Sequence, residues 1–272
     1  MTTVFCPNLA SPDYLDVSQC RALGATLKIY AQHTQTDPGA VAMCGPNAWP
    51  SLATPIAALS PIWLEAGAVK DWDQDGHALT EQAIAAVNQI RSAGGDVAVL
   101  AMDEPLASTV KGAFDRAPNQ LPPEQTGHVA WVTANFVRTL AAAGVPCGLI
   151  EAYPYHPMAR ILGFVHDVFV SNGQPLAFVE MDIDTFALQD QKIQPNQVAS
   201  DLLSLKMACK EYGIPMRCII TADRVTDDAG FVAQSLRNTT SRSSTTVSMV
   251  TRFRAGSSNR ADSGSFRRVL NI

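Results

Sequence analysis

The sequence lacks any apolar run approaching about 18 residues, which excludes a membrane-spanning helix on length alone. It has no Cys-x-x-Cys and no Cys/His pair at zinc spacing, so a structural zinc site is not expected. Histidine is scarce: the five residues are His33, His77, His128, His156 and His166. Two of them fall in helical segments and His77 opens a third, so a His-rich metal cluster is also not expected. There is no G-x-S-x-G, no P-loop and no haem or iron–sulfur spacing, and no cofactor is expected. Charge is sparse at 17%, and the net −5 argues against nucleic acid as a partner, because neutralising phosphates needs clustered Lys and Arg. Glycine and proline, 17 of each, show no G-x-y period and exclude a collagen-like chain.

What is present is a well-stocked core. Of 272 residues, 47% are apolar, enough for one large α/β domain. Six cysteines stand at 6, 20, 44, 147, 209 and 218. Cys6, Cys147 and Cys218 lie inside apolar runs, where a reduced thiol behaves as a small hydrophobe. Buried free thiols fit a reducing compartment. The opening Met1-Thr-Thr-Val-Phe-Cys-Pro-Asn8 shows no basic n-region and no long apolar region, so the expected location is cytoplasmic.

One rhythm repeats: an amphipathic helix, a glycine turn, a short apolar run, then an acid. Residues 77–93 lead through Gly94 to DVAVLAM and Asp103-Glu104. Residues 124–143 lead through Gly144 to VPCGLI and Glu151, and 157–171 through Gly173 to PLAFV, Glu180 and Asp182. Residues 195–212 lead through Gly213 to IPMRCIITA and Asp223. Each glycine suits a left-handed helix C-cap. Each apolar run is short and unalternating, as a parallel strand buried on both faces should be. With TTVFC before Asn8, TLKIYAQ before His33, and PIWLEAGAV containing Glu65, seven β units arise. The expected fold is α/β, a (β/α)8 TIM barrel, incomplete or irregular at the eighth unit. A doubly wound open sheet is the runner-up, disfavoured because no Gly-rich fingerprint follows the first strand.

Residues 1–236 are expected to form this domain, and the composition then changes abruptly. Residues 237–272 hold seven Arg, one Asp and thirteen Ser or Thr, a local +6 that leaves −11 on residues 1–236. Only TTVSMVTRF at 245–253 could supply an eighth strand. Three readings stand: a basic tail, an arm for an anionic partner, or a frame-shifted segment.

In such a fold, side chains at the C-terminal strand ends carry the chemistry. Here those ends are acidic: Glu65, Asp103, Glu104, Glu151, Glu180, Asp182, Asp184 and Asp223. Because desolvation opposes carboxylates at the end of a packed core, the set points to function. Trp72, Tyr153, Tyr155, His156 and Phe186 gather near them. Carboxylates that bond hydroxyls and aromatic rings that pack on sugar C–H faces suit a carbohydrate partner. In Glu180-x-Asp182-x-Asp184, strand alternation puts all three acids on one side.

The run Ala101-Met-Asp-Glu104-Pro105 resembles the strand-four Asn-Glu-Pro segment of the large clan of retaining (β/α)8 glycosidases. The resemblance implies that Glu104 is the acid/base and that Asp103 stands where the clan's sugar-binding Asn does. It also puts Asp223 at the strand-seven position of the clan's nucleophile. More broadly, CPNLASPDYLD, AMDEPLA and IEAYPY look like bacterial glycosidase-like barrel proteins over most of residues 1–236. The expected function is therefore glycoside hydrolysis by paired carboxylates. Glu104 is joined by Asp182, Glu151 or Asp223, in that order, and Asp103, Glu65, Trp72, Tyr153, Tyr155, His156 and Asn8 bind the sugar. Two alternatives stay open. One is a metal-dependent barrel isomerase or hydrolase, with Glu151, Asp182, Asp223 and His156 as a mixed oxygen/nitrogen set. The other is an inactive glycan-binding barrel.

Overall fold

The computed structural model describes residues 2–6, 26–30, 48–66, 77–107, 126–221, 248–252 and 265–270. The chain divides into two compact units, one of Met1–Glu65, Ala85–Ala98 and Cys218–Ile272, the other of Ala66–Ile84 and Val99–Arg217. The elements in chain order are β1 (Thr2–Cys6), β2 (Thr26–Tyr30), α1 (Ala48–Ala58), β3 (Ile62–Ala66), α2 (His77–Ser92) and β4 (Val97–Asp103). They continue with α3 (Thr126–Ala142), β5 (Cys147–Tyr153), α4 (Met158–His166), β6 (Val179–Ile183), α5 (Thr185–Asp190) and α6 (Pro195–Glu211). The last three are β7 (Met216–Thr221), β8 (Ser248–Arg252) and β9 (Ser265–Leu270).

In the first unit β1, β2 and β3 run parallel in chain order, with Val4 beside Thr26 and Lys28 beside Trp63. In the second, β4, β5 and β6 do the same, with Leu100 beside Cys147 and Leu149 beside Val179. The Val179 N–H reaches the carbonyl of Pro215, at the entry to β7, at 2.9 Å. Parallel neighbours in sequence order, joined through helices, make this an α/β fold of the (β/α)8 type. It is irregular at the eighth unit. In place of a parallel strand, β8 runs antiparallel to β9, and β9 antiparallel to β1. The sequence offered one strand there, yet Ser265–Leu270 forms a second.

The helices form where apolar residues recur at helical spacing. Along α6 the buried positions are Val198, Leu202, Leu205 and Cys209, one stripe with Pro195 opening the first turn. Met158, Ile161, Phe164 and Val165 form the buried face of α4, and a π-turn over Asp167–Ser171 follows it. An eleven-residue helix, α1, contains Pro55 and was not foreshadowed by the periodicity. Gly94, Gly144, Gly173 and Gly213 all take φ between 63° and 84°, so each ends its helix in the left-handed form the sequence called for.

The strand cores are apolar on both faces: Leu100, Ala101, Met102, Leu149 and Ile150 are fully buried. Cys147, Cys209 and Cys218 are buried, and burial pushes the Cys209 thiol up to about 12. At Gly148 the ring of Phe178 lies against the strand so closely that a Cβ would sit 2.3 Å from Phe178 Cε1. Gly148→Ala is therefore expected to destabilise the fold by roughly 1–3 kcal/mol in urea melts, and adding Phe178→Leu should recover part of the loss.

Candidate active site

The site grows from the end of β4. Glu104 extends the ladder by donating its N–H to the carbonyl of Ile150 at 2.8 Å. It then turns at φ 56°, the left-handed region, which costs a residue with a Cβ about 1–2 kcal/mol. Pro105 follows, and the turn over Pro105–Ala107 is held by side chains from elsewhere. Glu151 accepts the Leu106 N–H at 2.7 Å on one oxygen and the Ala107 N–H at 3.0 Å on the other. His156 Nε2 lies 2.9 Å from the Leu106 carbonyl. Since a carbonyl can only accept, that nitrogen carries the proton.

Strand parity explains why Glu151 reaches this turn. The register puts Asp103, Ile150, Ala152, Glu180 and Asp182 on one face of the sheet, and Leu149, Glu151, Tyr153 and Met181 on the other. The second face meets the helices: the Tyr153 hydroxyl donates to Asp201 of α6 at 2.5 Å. Gln197 holds the other Asp201 oxygen at 2.8 Å. Burial pushes the Glu151 carboxyl well above its ordinary range, and the nearby charges of Glu104 and Asp103 push the same way. The two amide bonds pull it back down.

Across β5, Asp182, the penultimate residue of β6, is 8% exposed, the same as Glu104. Asp184 caps α5 by accepting the Ala187 N–H at 3.0 Å, and its other oxygen takes the Tyr155 hydroxyl at 2.6 Å. Burial raises the Tyr155 phenol above its usual range. The Asp184 bond and the charges of Asp184, Glu104 and Asp182 add to the rise. Tyr155 therefore stays protonated at neutral pH, within electrostatic reach of both carboxylates.

The structure thus brings together Glu104, Asp182, Tyr155 and Asp184, with Asp103 half-buried beside them at the end of β4. Glu151, His156 and Tyr153 lie beneath, bonded to backbone or helix. In the first unit, Glu65 is fully buried in an ion pair with Lys28 of β2, itself 1% exposed. Asn8, Trp72 and Asp223 lie outside the described residues, as does the Phe186 side chain.

Sequence reasoning missed two cations. Arg217 of β7 lies with its guanidinium 4.4 Å over the Phe178 ring. Burial lowers its pKa, while the Glu180 charge raises it. Lys28 and Arg217 each interrupt an otherwise apolar strand run, and that signal could have flagged them as partners for Glu65 and Glu180.

Among the described residues, no group of three His, Cys, Asp or Glu side chains is arranged to hold a metal ion. Of the mixed set expected from sequence, Glu151 has both oxygens on backbone amides and His156 faces Leu106. Asp182 of that set stands near the end of β6, and Asp223 lies outside the described residues.

No protein-family model and no curated protein matches the chain. Several solved structures are similar to it, two of them epimerases. One is the apo form of 3-keto-D-glucoside 4-epimerase from E. coli, 13% identical, covering 90% of this chain and 88% of that one, with a TM-score of 0.47. The other is L-ribulose 3-epimerase, 16% identical, covering 96% and 84%, with a TM-score of 0.45. Both are epimerases and neither is a glycosidase, which corrects the glycoside hydrolase expected from Asp103-Glu104-Pro105. That expectation rested on a three-residue motif, whose strand-end position many chemistries can share.

Two outcomes follow from the buried charges. Lys28→Met leaves Glu65 buried without its cation, and is expected to cost about 3–5 kcal/mol in denaturant unfolding. Adding Glu65→Leu should restore most of the loss. Burial lowers the pKa of His156 from its ordinary 6.5. The unfolded chain binds a proton more readily, so stability present above pH 6.5 falls as the pH drops below it. Melting temperatures of the wild type should therefore decline more steeply on acidification than those of His156→Gln.

Proposed function

We propose that the chain is a carbohydrate isomerase of the epimerase kind, in which Glu104 and Asp182 move a proton at a sugar carbon beside a carbonyl. The observation that carries this reading is the pair of nearly buried carboxylates from the ends of β4 and β6, both within electrostatic reach of Tyr155. One carboxylate takes the proton from the C–H, and the electron pair moves into an enediolate. The other carboxylic acid returns a proton to the opposite face, so the sugar leaves with one centre inverted and no atom gained or lost. Such proton transfer needs two acid/base groups on rigid supports, and strand ends provide them. Tyr155 orients the substrate: its hydroxyl donates a hydrogen bond to Asp184, and its oxygen accepts from a sugar hydroxyl. Asp103, at the same strand end, adds a further hydroxyl acceptor.

The test is solvent exchange. Purified protein is incubated in D2O with a panel of ketopentoses, ketohexoses and 3-keto-glucosides, and deuterium entering the carbon beside the carbonyl is followed by NMR. The wild type is expected to exchange at least one of these sugars. Glu104→Gln and Asp182→Asn should each slow that exchange by roughly 10²–10⁴-fold. Exchange that is absent in the wild type, or equal in the variants, would reject the proposal.

A further inference from the structure

We infer that Glu151 and His156 are positioning residues that clamp the Leu106 peptide from both sides and so fix the backbone on which Glu104 turns. This deepens the function proposed above and rests on it for its kinetic consequence. Three backbone groups of two successive residues, the Leu106 N–H, the Leu106 carbonyl and the Ala107 N–H, are all bonded to these two side chains. Their bond lengths, 2.7–3.0 Å, are those of well-formed hydrogen bonds. Both clamp residues are buried, and both come from the end of β5 and the loop after it, about 45–50 residues along the chain from the turn.

Several considerations exclude a direct chemical role for Glu151. By register it faces the helices with Leu149 and Tyr153, on the side of the sheet opposite Asp182. Each oxygen already receives a backbone N–H. What it does reach is the turn directly after Glu104, whose left-handed φ needs its surroundings to hold it. A carboxylate bridging two consecutive amides fixes the orientation of both peptides. The imidazole donor on the carbonyl between them prevents the Leu106 peptide from flipping. Strain at Glu104 is thereby held by its neighbours, and the Glu104 carboxylate keeps one direction.

Glu151→Gln replaces one acceptor oxygen with an amide that opposes a backbone N–H, and His156→Gln keeps a donor for the carbonyl. Two readouts decide the matter. The first is independent of activity: hydrogen exchange of the Leu106 and Ala107 amides should accelerate at least about 10-fold in Glu151→Gln, with the amides of β5 unchanged. His156→Gln should retain most of the wild-type protection, and His156→Ala should lose it. The second is a double-mutant cycle on the solvent-exchange reaction. If Glu151 acts only through Glu104, Glu151→Gln lowers kcat about 10–100-fold with KM little changed. Added to Glu104→Gln, it lowers the rate no further.

Unaltered protection of the Leu106 and Ala107 amides would overturn the inference, and so would fully additive losses in the double variant. If Glu104→Gln proved as active as the wild type, the proposed function would fail. The amide-exchange result would still decide the clamp.

Discussion

A residue in a parallel strand has two directions available, and the register of its neighbours decides which. This constraint governs the second unit. Asp103 beside Ile150, and Ala152 beside Asp182, put the acids of β4 and β6 on a common face. The same alternation sends Glu151 and Tyr153 the other way, where Tyr153 meets Asp201 and Glu151 meets the turn after β4. Acids of similar appearance in the sequence thus acquire unlike duties. Glu104 stands apart because its left-handed backbone interrupts the alternation at the point where the strand stops.

The energetics follow from that division. Two buried charges meet opposite charge, Glu65 with Lys28 in one unit and Arg217 with Glu180 in the other. An ion pair so deeply buried contributes little net stability, but removing one member costs the other its opposite charge. The carboxylate that faces the helices is satisfied differently, by two backbone amides, which suit an acceptor with two oxygens. Asp184 shows a third solution, capping a short helix while it steadies a phenol.

Much of the fold was legible because it depends on local signals. The unalternating apolar runs, the glycines at 94, 144, 173 and 213, and the acid closing each run mark β4 to β7 and the helices before them. α1 was not legible, since Pro55 lies inside it and proline ordinarily interrupts a helix. The site was legible in part. Glu104, Asp182 and Tyr155 stood out as strand-end residues and do lie in one neighbourhood. The setting of Glu151 could not be read, because it depends on backbone amides 44 and 45 residues away. The glycosidase motif misled for a related reason: Glu-Pro after an apolar run records where a strand stops and carries no information about the bond being broken.

The antiparallel pairing of β8 and β9 has a bearing on evolution. A crossover unit must supply an apolar strand and an amphipathic helix that fit a crowded interior, whereas an antiparallel strand pair needs little beyond backbone hydrogen bonds. Five consecutive pairings join β9 to β1, from Thr2 with Val269 to Cys6 with Ser265. Ser265–Leu270, with two arginines among its six residues, is thus joined to β1 through its backbone. The last segment of such a chain can drift in composition, or be exchanged wholesale, while the parallel strands keep their own pairing rules. The antiparallel pairing is the part of this fold that asks least of its side chains.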